Sequence, residues 1–423
     1  MSRLRPILWL PMALPIGVST GFVAVALANA LARAGVAESV TADILATFYL
    51  ALSFGVLWGP AIDAIFSRRL WIIFGLLVTA GGLFTLTIVP STLAGANLLS
   101  AVAFLTGSGA IIVGLSSKGI AAYVFPMKQR ALAGAWYAAG NLGSSSIAGA
   151  VGVSLLASEQ SRSLVACIVA ASVLITLAFV AWLPRESIQP TKGAFHRLVA
   201  SLSDIWAMIR GAKGKVALAL CVLPFGTGAA INLMPSVAPQ WKAGPGNVST
   251  ASAISAPVCA LAALAGGWIC VRLGAWRAFV LLGIVLAAMS LVAIPLPHSA
   301  LSFLVIYNVY ALVQGAIFTG FYAVVFDTAE QGAASSKIGV LLSLSNLPYW
   351  YIAMIEGRAV DRWGITGLLL SDSLLAFSGF ALIVWLAHRV RLALWQGTVA
   401  NPPLTSPRPP TSRLPARDRV RGA

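Results

Sequence analysis

The sequence predicts an all-α membrane protein of twelve transmembrane helices in two six-helix halves, with both termini cytoplasmic. Three observations predict it. Of 423 residues, 59% are hydrophobic and only 9% charged, far below the quarter charged that covers a soluble domain. Apolar stretches of about 20 residues, the length that crosses a bilayer core, follow one another with short polar breaks. The basic residues sort into alternate breaks, as charges that fix membrane orientation do.

Breaks at charges and at Pro and Gly clusters place the spans near 6-32, 40-62, 70-90, 97-125, 131-157, 161-184, 216-240, 249-271, 277-296, 300-326, 334-357 and 365-388. The first imitates a secretory signal, with Arg3 and Arg5 before an apolar run and A-N-A ending at Ala30. Its run from Ile7 to Leu31 exceeds a signal core of roughly 7 to 15 residues and is long enough to span. With the amino terminus inside, 22 of the 28 Lys and Arg residues fall in cytoplasmic segments. Arg33, Arg162, Lys242, Arg358 and Arg362 lie in outer loops, and Lys118 lies within a span. An odd number of spans would carry the Arg-rich tail outside and spoil this sorting.

Residues 1-184 therefore form an N-terminal half, 185-215 a cytoplasmic linker with a surface-lying helix, and 216-392 a C-terminal half. Residues 393-423, rich in Pro and Arg, read as a disordered cytoplasmic tail. The net charge of +16 follows from many inner loops, and nucleic acid is excluded as a partner because no basic stripe sits on a polar domain. Cys167, Cys221, Cys259 and Cys270 lie in apolar runs without a C-x-x-C pair, so no metal, disulfide or cofactor is expected.

Matching inner loops of the two halves are related. WGPAIDAIFSRR supplies Gly59, Asp63, Arg68 and Arg69; GWICVRLGAWR supplies Gly267, Arg272, Gly274 and Arg277. Such a loop works as a gate latch. Gly59 permits two helices to approach, Asp63 sits at a helix end, and the arginines bond that carboxylate or neighbouring helix carbonyls. The competing reading makes Arg68 and Arg69 orienting charges only. Asp327 and Glu330, at the inner end of span ten, are expected to pair with Lys337 or the basic loops in a gating role.

On these residues the chain resembles the major facilitator superfamily, whose signature in that loop is G-x-x-x-D-R-x-G-R-R; Ala64 and Phe66 replace its Arg and Gly. GRAVDRWG, with Gly357, Asp361, Arg362 and Gly364, is a second copy between the last two spans. Trp58, Pro60 and Asp63 are similar to the W-A-P-x-x-D pattern of the branch holding muropeptide permeases, acetyl-CoA transporters and siderophore permeases. The segment from Asp327 through GAASSKIGVLLSLSNL resembles the same branch, whereas GLSSKG places Lys118 where that branch carries acidic residues. The resemblance implies a monomeric secondary transporter of the inner membrane, moving a small organic solute by alternating access, with protons as a candidate coupling ion.

Ionisable side chains inside a bilayer are functional candidates because burying one costs about 2.5–3.5 kcal/mol. Lys118, eight residues before Pro126, either binds an anionic group of the solute or snorkels to headgroups. Glu356 and Asp372 either accept protons, if burial raises their pKa values, or are peripheral: Glu356 stands near Arg358, and Asp361 beside Arg362, in an ion cluster below the outer surface. The superfamily lines its cavity with spans one, four, seven and ten, which directs attention to Asn232, Asn308 and Gln314 as substrate contacts. Tyr307 and Tyr310 either line that cavity or form an interfacial belt. Pro224, Pro235, Pro239, Gly226 and Gly228 should kink or unwind span seven.

Two other functions remain in view. A membrane-embedded enzyme needs clustered catalytic groups, but His196, His298 and His388 stand apart without partner motifs. A transporter-shaped signalling or assembly factor differs from a transporter only in assay. No G-x-x-x-x-G-K-[ST] occurs, so ATP is not a direct fuel.

Overall fold

In hydrocarbon every backbone N–H and C=O must be bonded within the protein, and a helix achieves this within one segment. The computed structural model describes residues 5–125, 127–158, 160–183, 194–329 and 334–390, and their regular structure is helical. The expected tail at 393-423 and residues 184–193 lie outside the described residues, as do Glu330 and the side chain of Asp63.

The first half comprises α1 (Pro6–Arg33), α2 (Glu38–Ser53), α3 (Gly55–Ala64), α4 (Arg68–Ile88), α5 (Ala96–Val124), α6 (Met127–Ala157) and α7 (Arg162–Val180). An intervening helix, α8, covers Ala194–Arg210 and exposes Val199, Leu202 and Trp206. The second half comprises α9 (Ala212–Val222), α10 (Ala230–Val237), α11 (Pro245–Leu273), α12 (Ala275–Ala293), α13 (Ala300–Ala329), α14 (Ala334–Leu344) and α15 (Leu347–Arg389). Among the described residues nine helical stretches are long and apolar enough to cross a membrane, the last being Lys337–Arg389. That last stretch is not a single rod. At Gly364 the backbone takes φ 60°, a left-handed conformation that favours glycine, and α15 turns back on itself there so that Glu356 faces Asp372.

Span seven breaks where its prolines and glycines cluster. Helix stops at Val222 and resumes at Ala230, with Gly226 at φ 73° and Gly228 at φ 59° between them. The freed carbonyls are satisfied by side chains: Thr227 O accepts from Gln314 Nε2 (3.2 Å) and Tyr349 Oη (2.8 Å), and Val222 O accepts from Tyr351 Oη (2.7 Å). Non-helical backbone is tolerated at membrane depth only where such partners exist.

Within the first half α4 packs on α5 and α7, α2 on α5, and α1 on α6; within the second, α11 packs on α13 and α12 on α13 and α15. The two largest seams between the halves are α6 against α11 and α2 against α15. Lipid is as apolar as a leucine surface, so these contacts depend on small residues and interhelical hydrogen bonds. At the first seam Ser252 Oγ donates to Ser146 O (2.9 Å), Ser249 Oγ to Ala150 O (2.9 Å), and Ser255 Oγ to Ser146 Oγ (2.9 Å). At the second, a Cβ on Gly357 would run into Ala42. Gly21 of α1 likewise leaves no room for a methyl group against the Ser145 carbonyl, whereas nothing lies within 4 Å of the corresponding position at Gly81.

This contrast fixes an expectation. Gly21→Ala should lower stability by about 1–3 kcal/mol through overpacking, seen as a lower melting midpoint of the purified protein in detergent. Gly81→Ala, in open space, should leave the midpoint unchanged or raise it.

Candidate functional site

At the end of the bundle opposite the amino terminus, the expected outer end, the two halves are clasped by the second motif copy. Asp361 Oδ1 accepts from Glu38 N (2.9 Å) and its Oδ2 from Ser39 N (3.2 Å), capping the start of α2 with a carboxylate from the opposite half. The first N–H groups of a helix lack internal partners and carry the positive end of its dipole, so an anion there is stabilising. Arg358 Nη1 joins the same clasp by pairing with Asp43 Oδ1 at 3.2 Å. Ser154 and Ser249 meet at 2.9 Å across the other seam, and Asn29 Nδ2 donates to Pro235 O (3.1 Å) between α1 and α10.

Midway through the molecule the halves meet through aromatic rings. Tyr49 of α2 stacks on Tyr349 of α15 with centroids 4.9 Å apart and planes 22° apart. Tyr349 in turn bonds the Thr227 carbonyl beside Gln314. Of the residues expected to contact substrate, Gln314 therefore sits at this layer with its amide nitrogen engaged on the broken span. Asn308 donates Nδ2 to Leu304 O (2.9 Å) on its own helix and leaves its buried Oδ1 without a partner, and Asn232 is half-buried on α10. Tyr307 and Tyr310 are 5% and 1% exposed, which places them in the interior and not in an interfacial belt.

Lys118 lies closer to the inner end. It is six residues before the last residue of α5, about 9 Å along the axis at 1.5 Å per residue. Its ammonium stands over the ring of Tyr137 on α6, 4.8 Å from the centroid, in cation–π range. Among the described residues no carboxylate or carbonyl takes a bond from it, although an ammonium has three protons to donate. The Tyr137 hydroxyl is buried with no hydrogen-bond partner, and Tyr322 of the opposite half lies within electrostatic range of it.

The inner loops depart in part from the expected latch. Nothing lies within 4 Å of a side-chain position at Gly59; the close approach is made one turn earlier, where Gly55 meets Ser343 of α14 and Ile111 of α5. The space beside Gly59 is therefore not what holds the helices together. Arg69 Nη2 bonds the Ala181 carbonyl (3.2 Å) just beyond α7, and the Arg68 side chain lies against Gly119 of α5. In the second half Arg272 is exposed and stacks on Trp268 of its own helix, and Arg277 is part-buried. Asp327 accepts from Trp276 Nε1 (2.9 Å) and pairs with Lys213 Nζ (3.4 Å), tying the inner ends of α13, α12 and α9.

The peripheral ion cluster expected around Glu356 is not present. Glu356 is fully buried and faces Asp372, itself 5% exposed, while Arg358 turns to Asp43. The fold-back at Gly364 explains the difference, because it brings residues 16 positions apart into contact, whereas sequence neighbours point to other faces.

The sequence profile of the Major Facilitator Superfamily matches residues 10–349. The chain belongs to that superfamily. No curated protein sequence matches it significantly. Solved structures with the same fold include a D-xylose-proton symporter (12% identical, TM-score 0.68, covering 90% of this chain and 95% of that one). A POT family transporter in complex with 5-aminolevulinic acid (12%, TM-score 0.70, 91% and 96%) and the nucleoside transporter NupG (14%, TM-score 0.65, 91% and 99%) are also similar. Membership of the superfamily points to a multi-pass membrane transporter and not an enzyme.

Within this superfamily fold, sequence reasoning missed Tyr49, Tyr349 and the Glu356–Asp372 contact. A tyrosine on each seam helix was the available signal, obscured by attention to spans one, four, seven and ten. The outer clasp gives an expected outcome. Removing a helix cap costs about 1 kcal/mol, so Asp361→Ala should raise labelling of an engineered Ser249→Cys by a membrane-impermeant maleimide roughly fivefold, measured on intact cells against the same cysteine with Asp361 present.

Proposed function

We propose that the chain is a twelve-span secondary transporter of the inner membrane, with both termini cytoplasmic, that carries a small anionic organic solute by rocking its two halves. The observation that carries the reading is Lys118. A cation held inside a bilayer protein without a recorded counter-charge is costly, and this one stands beside the unpartnered Tyr137 hydroxyl and within reach of the opposite half. A carboxylate or phosphate of the solute supplies the missing charge and acceptor. Asn308, whose carbonyl oxygen is buried and unpartnered, and Asn232 and Gln314 provide further polar contacts along the same route.

The inner-loop residues Asp63, Arg68, Arg69, Arg272, Arg277 and Asp327 serve the inner gate by bracing each half from within, through the Arg69–Ala181 and Asp327–Lys213 contacts, while Gly55 in place of Gly59 meets Ser343 of the opposite half. The clasp of Asp361 on α2 serves as the outer gate. A siderophore- or muropeptide-like cargo is supported by Trp58, Pro60 and Asp63; Lys118, which departs from that branch's acidic residues, supports only the anionic character of the solute. Coupling to protons is supported by the similarity in fold to a D-xylose-proton symporter.

The test is uptake into liposomes by the purified protein under a proton gradient, with a panel of anionic peptides, siderophores and nucleotides. Lys118→Gln should express at the native level and raise the half-saturating concentration of the transported anion tenfold or more, since a charged hydrogen bond is worth about 1.5–3 kcal/mol. Unchanged uptake kinetics would remove Lys118 from the site, and no movement of any of the panel by native protein would sink the transport reading.

A further inference from the structure

The two arms of α15 bury a pair of acids that the solute path does not explain. Glu356 stands eight residues before Gly364 and Asp372 eight after it, so both lie about 12 Å below the outer turn at 1.5 Å per residue. Glu356 is 0% exposed and faces the Asp372 carboxyl, and neither of its oxygens has a hydrogen-bond donor. Asp372 Oδ2 accepts from Tyr310 Oη (2.6 Å) and from Ser290 Oγ (2.6 Å), and these two hydroxyls also touch each other. The site is thus built from α12, α13 and both arms of α15.

No cation balances the pair. Among the described residues Arg358 pairs with Asp43, Arg362 stacks on Trp363, and Lys213 pairs with Asp327. The other ionisable groups on helices packed against the hairpin stand far off along their axes. Arg277 is 13 residues from Ser290 on α12 and Asp327 is 17 from Tyr310 on α13, roughly 20 and 25 Å. Lys215 lies in the first turn of α9, and Glu38 and Asp43 lie at the start of α2 in the outer clasp. Tyr49 of α2 is stacked on Tyr349, whose phenol is within electrostatic range of Asp372.

Two carboxylates side by side, out of water and without a cation, cannot both stay ionised. Two carboxyl groups can hydrogen-bond only when one carries a proton, because a carboxylate has none to donate. We propose that Glu356 and Asp372 are a proton-binding site of the C-terminal half, sharing one proton between their carboxyl oxygens. Tyr310 and Ser290 hold the Asp372 oxygen in place and sense the movement of α13 and α12. The proposal rests on the transport reading for its purpose: the shared proton leaves when the halves part and the pair meets water, and returns when they close.

Infrared difference spectroscopy of the full chain in lipid vesicles, titrated with acid and base, tests this without knowledge of the solute. The native protein should show a carboxylic-acid carbonyl band at neutral pH that disappears as pH rises. That band should be lost in Glu356→Gln and Asp372→Asn and its midpoint displaced in Tyr310→Phe, the variant to rely on if either acid variant fails to fold. Replacing potassium with sodium should leave it unchanged. Absence of the band in native protein, its persistence in both acid variants, or its displacement by sodium overturns the proton site. Vesicles that show the band but move no solute of the panel overturn the transport reading alone; vesicles that transport without the band overturn this inference alone.

Discussion

Helices in hydrocarbon gain nothing by hiding leucine from lipid, so whatever holds them together must be close backbone contact and hydrogen bonding. That constraint governs the contacts at both seams of this chain. Gly357 sits against Ala42 and Ser252 bonds Ser146. At the second seam the rings of Tyr49 and Tyr349 stack as well. Two bodies joined by small residues and hydroxyls are coherent within themselves and separable from each other, which is the mechanical property that alternating exposure of a central site requires.

The same constraint explains the centre. A helix broken between Val222 and Ala230 would leave carbonyls unbonded at membrane depth, and Gln314, Tyr349 and Tyr351 bond them. Tyr349 also stacks on Tyr49 of the other half, so the broken segment and the seam share one side chain. Movement of the halves therefore changes the partners of the break. Lys118 and the Glu356–Asp372 pair lie on opposite sides of this layer, one toward each face, and the outer clasp at Asp361 is made in this structure.

Much of the architecture was legible because its determinants are local. Apolar length marks a span, and the break near Pro224 follows from residues adjacent in the chain. The motif GRAVDRWG was legible as a pattern, but its partner was not, because Asp361 caps a helix 322 residues away in sequence. Glu356 was misread for the same reason. Its neighbour in sequence, Arg358, is not its neighbour in space, and only the turn at Gly364 brings Asp372 beside it. Gly59 drew attention as a motif member, yet the close packing falls at Gly55, outside the motif. A sequence motif records a loop's chemistry more reliably than the register at which helices touch.

The central claim is that the halves move as bodies about the tyrosine layer. Electron-spin distance measurements in lipid vesicles test it directly, with one label pair at Ser158 and Thr250 beside the outer seam and another at Leu57 and Gly339, where α3 meets α14 on the inner side. The account predicts two populations whose distances change in opposite senses, the outer pair long when the inner pair is short, with the balance shifted by the transported solute. Distances that stay single-valued under every condition, or that lengthen together at both ends, would contradict it.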